Sequence, residues 1–263
     1  AMSTDAAESA HHDSPELELL ERLIRRPSVT PDDAGCPDLM ATEIPDLDLF
    51  HPWEIDADEA AAIACRCEGA ARESDPRISN SEGATLYTQR SSFVYGNTHG
   101  FVGGYPTSRH SLSCAVIAQD GDDMQRDYWY DSGRIPGEID APEAIGQRAA
   151  ERTIARLNGR KLGTRECPVL FRADIAPSLL RSLFGAIRGH AVYRKSTFLL
   201  DQVGEQILPD WVTISEDPLK PRGQASAPFD NEGVATQYRE LVAGGVLQGY
   251  LLDSYAARKL GLQ

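Results

Sequence analysis

"RISNSEGATLYTQRSSFVYGNTHGFVGGYPTSRHSLSCAVIAQDGDDMQRDYWYDSG", residues 77–133, is the stretch that decides the fold. β-Branched and aromatic residues recur along it with a period of two, which is typical of strands that bury one face. The segments NSEG, GNTHG and QDGDD interrupt these runs with residues that favour turns. Because consecutive strands joined by short turns pair antiparallel, the stretch predicts an antiparallel meander.

Helices are predicted on both sides of this stretch in the sequence. Residues 57–73 are rich in alanine, and Asp56 together with Glu59 forms a capping-box pattern at their start. Residues 141–158 carry apolar residues at helical spacing. The predicted fold class is therefore α+β, with an antiparallel sheet flanked by helices over residues 42–160.

The C-terminal part, residues 168–263, is predicted to be an incomplete and mostly β domain. CPVLFR is a candidate for a short buried strand at its start, and a helix is predicted over residues 176–189. Beyond residue 191, the runs WVTISEDP, GVATQYREL and GGVLQGYLL indicate strands, and SYAARKLG indicates a short final helix. The apolar residues expected to point inward from the helix 176–189 are Leu179, Leu180, Leu183, Phe184 and Ile187.

The N-terminal residues carry predictions of a different kind. Residues 1–14 are polar and small, and we expect them to form a disordered lead-in. In residues 15–26, PELELLERLIRR, apolar side chains recur at helical spacing and predict an amphipathic helix. The residues that form this apolar stripe are Leu17, Leu20, Leu23 and Ile24.

Charge and composition argue against two classes of partner. The 263-residue chain has a formal net charge of −14, whereas a nucleic-acid-binding protein needs a basic face to displace counterions. No apolar run in the sequence approaches the ~20 residues of a membrane-spanning helix. The spacing of the five cysteines fits neither a disulfide framework nor a zinc ribbon, so we expect buried thiols in a reducing cytoplasm.

Residue spacing also argues against a catalytic site. His190 follows an apolar run, but zinc needs three or four ligands, and neither a carboxylate nor a second histidine lies within one helical turn of it. Ser108, His110 and Asp120 could be combined into a triad on paper, yet the sequence contains no GxSxG nucleophile elbow. We therefore predict no catalytic residue and no metal ligand in this chain.

YRKST, residues 193–197, is the most chemically suggestive short run. The basic pair Arg194 and Lys195, followed by the hydroxyl of Ser196, could hold a peptide carboxylate or a peptide backbone. A solvated turn between a helix and a strand also explains the same residues, and it is the interpretation that the general weakness of short motifs favours. These residues are the candidate peptide-binding residues.

Several long segments resemble the TldD/PmbA family, and specifically its PmbA (TldE) branch. The resemblance covers residues 42–263 and is carried by PDLDLFHPWEIDADEA, RISNSEGATLYTQRSSFVYGNTHGFVGGYPTSRHSLS, VYRKSTFLLDQVGEQILPDWVTI, PFDNEGVATQYREL and LLDSYAARKLGL. It implies a cytoplasmic heterodimer that degrades unfolded peptides and matures modified peptides. In that family the TldD subunit carries zinc on an HExxxH helix, and the PmbA-like subunit lacks the ligands. The resemblance implies that the helix predicted over residues 176–189 is the counterpart of that zinc helix.

Two features depart from the family pattern. Residues 15–41 resemble the opening helix of DapE-type desuccinylases, which suggests a mosaic or fused gene, and none of the ligand motifs of those enzymes follows. The resemblance also implies that the C-terminal domain is truncated, because PmbA-like proteins continue beyond SYAARKLGLQ. A sheet interrupted in this way would leave exposed β edges through which copies could self-associate.

The resulting expectation is a non-catalytic PmbA-like subunit that binds peptide and pairs with a TldD-like zinc subunit. No cofactor is expected on this chain, since zinc belongs to the partner. Two alternatives remain open: an autonomous metallohydrolase of peptidase or desuccinylase type, and an interaction fragment without chemistry.

Overall fold

The computed structural model describes residues 41–98 and 100–262. The lead-in predicted for residues 1–14 and the helix predicted for residues 15–26 lie outside the described residues. Along the chain the elements are α1 (Ala57–Glu73), β1 (Ile78–Gly96), β2 (Val102–Asp120), β3 (Asp123–Gly133), a 3₁₀ turn (Pro136–Glu138), α2 (Pro142–Ile154), α3 (Pro177–Ala186), α4 (Gly189–Tyr193), β4 (Ile214–Glu216), β5 (Arg239–Ala243), β6 (Val246–Leu247) and α5 (Ser254–Leu260). The α+β fold class is confirmed.

Strands β1, β2 and β3 form the predicted antiparallel meander, the central sheet. Side chains along β2 alternate between buried and partly exposed, because successive residues of a strand point to opposite faces. Leu112, Cys114 and Val116 lie on the buried face. Leu86 of β1 lies opposite Leu112, and Trp129 of β3 lies opposite Cys114. Both side chains pack against the same core.

One of the predicted turns is wrong. NSEG, residues 80–83, lies inside β1, where the register with β2 shifts twice instead of reversing. Gly83 has a φ of 98°, a backbone conformation that favours glycine, and the extra residues are absorbed as bulges. Turn-forming residues therefore bend this strand without ending it.

Helices α1 and α2 pack side by side on the buried face of the central sheet. The predicted capping box is confirmed at α1, where the Glu59 amide donates to the Asp56 carboxylate at 2.8 Å and the Asp56 amide donates to Glu59. Gly146 of α2 lies against the backbone of α1, and a Cβ atom there would overlap the Cys67 carbonyl oxygen. The core between helices and sheet comprises Cys67, Ala71, Ile78, Leu112, Cys114, Val116, Ala118, Ile145, Ala149 and Ala150.

The C-terminal part contains a smaller sheet, in which β4, β5 and β6 pair antiparallel. Its core is formed by Ile187, Leu199, Leu241, Val242 and Leu247. The strand predicted for CPVLFR is wrong: residues 167–172 have no strand structure, and Leu170 is 95% exposed. Apolar residues alone do not form a strand where no neighbouring strand accepts the backbone hydrogen bonds.

The helix predicted over residues 176–189 is shorter than expected. It ends at Ala186, and the chain re-enters a helix at Gly189. Ile187 is buried as predicted, but Leu179 and Leu180 are 50% and 40% exposed, so their inward orientation was wrongly predicted. The C-terminal core is small and reaches only the last turn of α3, which leaves the first turn without a surface to cover.

The C-terminal part contacts the far end of the β1–β2 hairpin through an aromatic cluster. The ring of Phe229 lies 5.7 Å from Phe93, 5.0 Å from Phe101 and 5.4 Å from Tyr105, measured between ring centroids. Ala41 packs in the same cluster, and its amide donates to the carbonyl oxygen of Gly233 at 3.0 Å. The two sheets are thus joined at the hairpin tip.

Candidate functional site

The segment that carries the predicted peptide-binding residues is placed by contacts with the C-terminal helix. The Gly189 amide donates to the Leu251 carbonyl at 2.8 Å, and the Leu251 amide donates to Ile187 at 2.9 Å. Gly189 is buried, and a Cβ atom at this position would overlap the Cβ of Ala256. This close approach brings residues 190–196 beside α5.

His190 is paired with a carboxylate at this junction. Its Nδ1 lies 3.2 Å from one oxygen of Asp253, and the other oxygen accepts a 2.7 Å hydrogen bond from the Ala256 amide at the start of α5. The imidazole is stacked on the Tyr255 ring, with 6.0 Å between centroids and an interplanar angle of 23°. About half of the imidazole surface is exposed, so solvent and ligands can reach it.

Two cations lie over the tyrosine rings next to His190. The Arg194 guanidinium is 5.7 Å from the centroid of Tyr193, and the Lys259 ammonium is 5.6 Å from the centroid of Tyr255. The hydrogen bond from Arg194 lowers the pKa of the Tyr193 hydroxyl, and the same bond raises the pKa of Arg194. We call the group formed by His190, Tyr193, Arg194, Tyr255 and Lys259 the His190 patch.

The His190 patch combines positive charge with aromatic surface. Arg194 and Lys259 can pair with a carboxylate, and the faces of Tyr193 and Tyr255 can contact apolar or aromatic side chains. Cations above aromatic rings are held by the ring quadrupole and stay exposed to a ligand. These are the features expected of a surface that contacts an acidic or C-terminal portion of a peptide.

Of the three predicted peptide-binding residues, only Arg194 is part of this patch. Lys195 has a φ of 54° and donates its amide to Val192 at 2.9 Å. Ser196 donates its amide to the Ala191 carbonyl at 2.9 Å, and its hydroxyl donates to the same oxygen. Lys195 and Ser196 therefore end α4 in a left-handed cap, although both side chains remain exposed.

The structure does not bring together Ser108, His110 and Asp120, the residues that could be combined into a catalytic triad on sequence grounds. Asp120 lies ten residues from His110 along β2, which corresponds to roughly 33 Å of extended strand. The His110 ring is buried and contacts the Thr88 hydroxyl at 2.8 Å and the His51 carbonyl at 2.9 Å. The Ser108 hydroxyl donates to the Arg134 carbonyl at 3.1 Å. Ser108 and His110 are thus each hydrogen-bonded to other groups inside the fold and do not form a nucleophile with its base.

A buried arginine that sequence reasoning missed joins the two parts of the chain. Arg134 donates from Nε to the Gly223 carbonyl at 2.9 Å, from Nη2 to Gln224 at 3.1 Å and from Nη1 to Ser108 at 3.1 Å. Burial lowers the pKa of this guanidinium, yet three carbonyl oxygens compensate its charge. Its acceptors lie in β2 and in the 223–224 loop. Because they are about 26 and 90 residues away from Arg134 in the sequence, no local pattern predicts this contact.

The donor set of the described residues does not fit a metal. Between residues 41 and 262, with His99 set aside, no group of three or more His, Cys, Asp or Glu side chains converges. His190 has one carboxylate partner, and that carboxylate already caps α5. The buried thiols of Cys67 and Cys114 face each other in the central core, where the Cys114 contact and burial raise the pKa of Cys67.

The family's sequence profiles match most of the chain. The profile of the PmbA/TldA metallopeptidase central domain matches residues 50–157, and that of the PmbA/TldA metallopeptidase C-terminal domain matches residues 164–263. The chain belongs to the PmbA/TldD family. The PmbA branch is supported by the metalloprotease PmbA of Escherichia coli O157:H7, which is 50% identical over 226 residues, 86% of this chain and 50% of that protein.

Further relatives agree with this assignment. A metalloprotease PmbA homologue of Haemophilus influenzae is 43% identical over all of this chain and 58% of its own length. A crystal structure from Bacteroides thetaiotaomicron superposes with a TM-score of 0.82 at 26% identity, covering 89% of this chain and 55% of that one. The structure of TldE from Thermococcus kodakarensis shares the fold, with a TM-score of 0.67 at 21% identity over 82% of this chain and 51% of its own. The chain spans about half the length of the curated relatives it matches.

Proposed function

We propose that this chain acts as a PmbA/TldE-type subunit of a TldD-type zinc metallopeptidase, without a metal or catalytic residue of its own. The observation that carries the proposal is the donor set: the part of the chain that the structure describes offers no three converging ligands. The segment that resembles the zinc helix holds Leu183 and Phe184, which pack on the C-terminal core, and ends at Ala186. In this proposal peptide cleavage is performed by the partner subunit.

The peptide role proposed for the chain rests on the His190 patch. Arg194 and Lys259 present positive charge on a chain whose formal net charge is −14, so an acidic group is drawn to this place. Lys195 lies next to Arg194 and adds a third exposed cation. Ser196 contributes by fixing the end of α4, which sets the direction of both basic side chains.

The proposed partner and place in the cell follow the family resemblance. We assign the chain a TldD-like zinc subunit as partner, unfolded or modified peptides as substrate and the cytoplasm as location. The negative net charge of the chain argues against a role in nucleic-acid binding. Among the described helices, none is long and apolar enough to cross a membrane.

Metal content and activity test this proposal together. The purified chain is expected to hold substoichiometric zinc and to leave an unstructured peptide intact, whereas adding a TldD-like zinc subunit produces a complex that cleaves it. Stoichiometric zinc and chelator-sensitive hydrolysis by the chain alone would establish the autonomous metallohydrolase instead. If the chain neither binds the zinc subunit nor changes its activity, the remaining alternative is an interaction fragment without chemistry.

Substitutions in the His190 patch test the peptide contact. Arg194→Ser combined with Lys259→Ser should raise the KM of the complex for a peptide that carries acidic residues, with little change in kcat, because uniform binding is lost. Arg181→Ser, on the exposed side of α3, serves as the matched control for loss of a positive charge. Unchanged KM in the double variant would contradict the contact while leaving the subunit assignment intact.

A further inference from the structure

A cavity of about 200 Å³ opens into the core of the central part, between α1, the central sheet and the turn that precedes α2. Leu86 and Leu112 line it from the sheet, where they lie opposite each other on β1 and β2. Ile63 lines it from α1, and Ile139 lines it from the turn. Because Leu112 is only 1% exposed, the cavity reaches from the surface to the buried core.

Trp53 forms a further wall of the cavity, and contacts on both sides hold its position in the chain. The indole meets the buried His110 ring nearly at a right angle, with 5.6 Å between ring centroids. The His51 carbonyl oxygen lies 2.9 Å from Nε2 of His110, and Arg90 donates to the Glu54 carboxylate at 2.8 Å. The segment around Trp53 is thus tied to β1 and β2, and the wall of the cavity is preorganised.

Two residues of opposite charge complete the lining where the cavity meets solvent. Arg66 of α1 and Asp140 both line the cavity and are exposed. The Arg66 guanidinium lies 3.2 Å from the Glu143 carboxylate, and its five N–H donors leave room for a second carboxylate. Within residues 41–98 and 100–262, no ion pair or hydrogen bond engages the Asp140 carboxylate. The opening therefore offers one cation and one anion beside an apolar interior.

We propose that this cavity binds a free apolar α-amino acid of the phenylalanine or leucine class. An apolar cavity of about 150 Å³ accepts a benzene ring, so a phenyl or isobutyl group fits here. The α-carboxylate of the ligand pairs with Arg66, and its ammonium group pairs with Asp140. A charged side chain is excluded, because it would lose its hydration in the apolar interior without gaining a partner. No residue of the His190 patch lines the cavity, so this site stands or falls independently of the function proposed above.

Isothermal titration calorimetry of the full chain tests this binding. The ligands are L-phenylalanine and L-leucine, with L-aspartate as the polar control and 2-phenylethylamine as the analogue that lacks the carboxylate. Ile63→Phe fills the cavity, and Arg66→Gln removes the cation at its opening. Arg72→Gln is the matched control, since Arg72 is an exposed cation in the last turn of the same helix. Thermal unfolding without ligand verifies that each variant is folded, and Ile139→Phe fills the cavity from the turn where Ile63→Phe unfolds the chain.

The expected result is saturable binding of both apolar amino acids and none of L-aspartate. Loss of the carboxylate from the ligand, or of the charge in Arg66→Gln, should each raise the Kd roughly tenfold, because one charge-assisted pair is lost. The cavity-filling variant should not bind, and Arg72→Gln should bind like the wild type. The absence of saturable binding to the wild type would overturn the proposal, and so would an unchanged Kd in the cavity-filling variant. Equal affinity for 2-phenylethylamine and L-phenylalanine would overturn the assignment of an amino acid as the ligand.

Discussion

The central sheet and the C-terminal sheet contain three strands each, but they are stabilised in different ways. The central strands are 19, 19 and 11 residues long and bury a continuous core under two helices, whereas the C-terminal strands are 3, 5 and 2 residues long. The C-terminal part relies on single backbone hydrogen bonds between loops. The Gly245 carbonyl accepts from Ile207 and Leu208, and the Gly204 amide donates to Leu247.

This difference shows which kind of structure can be predicted from a sequence pattern. A long strand repeats its pattern many times, so one exception such as the bulge at Gly83 does not obscure it. A loop is fixed by a few individual bonds, and each of them depends on residues distant in sequence. Gly244 and Gly245 adopt φ angles of 53° and 82° for such a turn. The two parts should therefore respond differently to the same substitution.

Truncation of one core leucine in each part should have the largest effect. Leu112→Ala and Leu247→Ala both remove a side chain that is 1% exposed or less, and each should cost about 2–5 kcal/mol of unfolding free energy. We expect Leu112→Ala at the upper end, because strands and helices around it cannot collapse into the cavity. Leu247→Ala should lie at the lower end, because the surrounding loops can relax. Urea unfolding measures both values.

Hydrogen exchange adds the location of each effect. Leu112→Ala should accelerate exchange across all three long strands, whereas Leu247→Ala should accelerate it only within the C-terminal part. If Leu247→Ala proved the costlier substitution, the short strands would be as rigid as the long ones and the contrast would fail.

A pair of glycine substitutions tests how tightly the two central helices pack. Gly146→Ala places a Cβ atom against the Cys67 carbonyl oxygen, so α1 and α2 must move apart at a cost of about 1–3 kcal/mol. Gly69→Ala is the matched control, since no atom lies within 4 Å of the added Cβ. It should stabilise α1 by about 0.5–1 kcal/mol. Thermal unfolding that shifts both variants in the same direction would contradict this packing.

Sequence patterns predicted the central part well and the candidate site only in part. The capping box at Asp56 could be predicted because its two partners, Asp56 and Glu59, are three residues apart. Arg194 was found because it lies in a short basic run, but Tyr255 and Lys259 reach the same patch from α5, about sixty residues later. Ser196 stays a predicted peptide contact, but its role in the cap could not be predicted, since nothing in the sequence shows that Lys195 adopts the left-handed conformation.

The smallest effect is expected at an exposed ion pair that joins the two parts. Asp48, in the segment before α1, accepts a hydrogen bond from Nε of Arg222 at 2.5 Å, and its other oxygen lies 3.0 Å from Nε2 of His51. The bond from Arg222, followed by the nearby charges of His51 and Arg222, lowers the pKa of the Asp48 carboxyl below its ordinary 3.8. Because the folded pKa is the lower one, the ion pair stabilises the protein above the ordinary pKa. This contribution is lost as the pH falls through the folded value.

Asp48→Asn removes the charge and keeps the backbone, since asparagine tolerates the φ of 54° at this position. The variant should melt slightly below the wild type at about pH 7, and the gap should close as the pH falls below 3.8 and through the lowered folded pKa, where the wild-type carboxylate also becomes neutral. Asp210→Asn, an exposed position in the C-terminal part, controls for the change in net charge. A gap that persists unchanged in acid would mean that Asp48 acts through the hydrogen bonds of its local turn, and the ion pair would then contribute nothing to joining the two sheets.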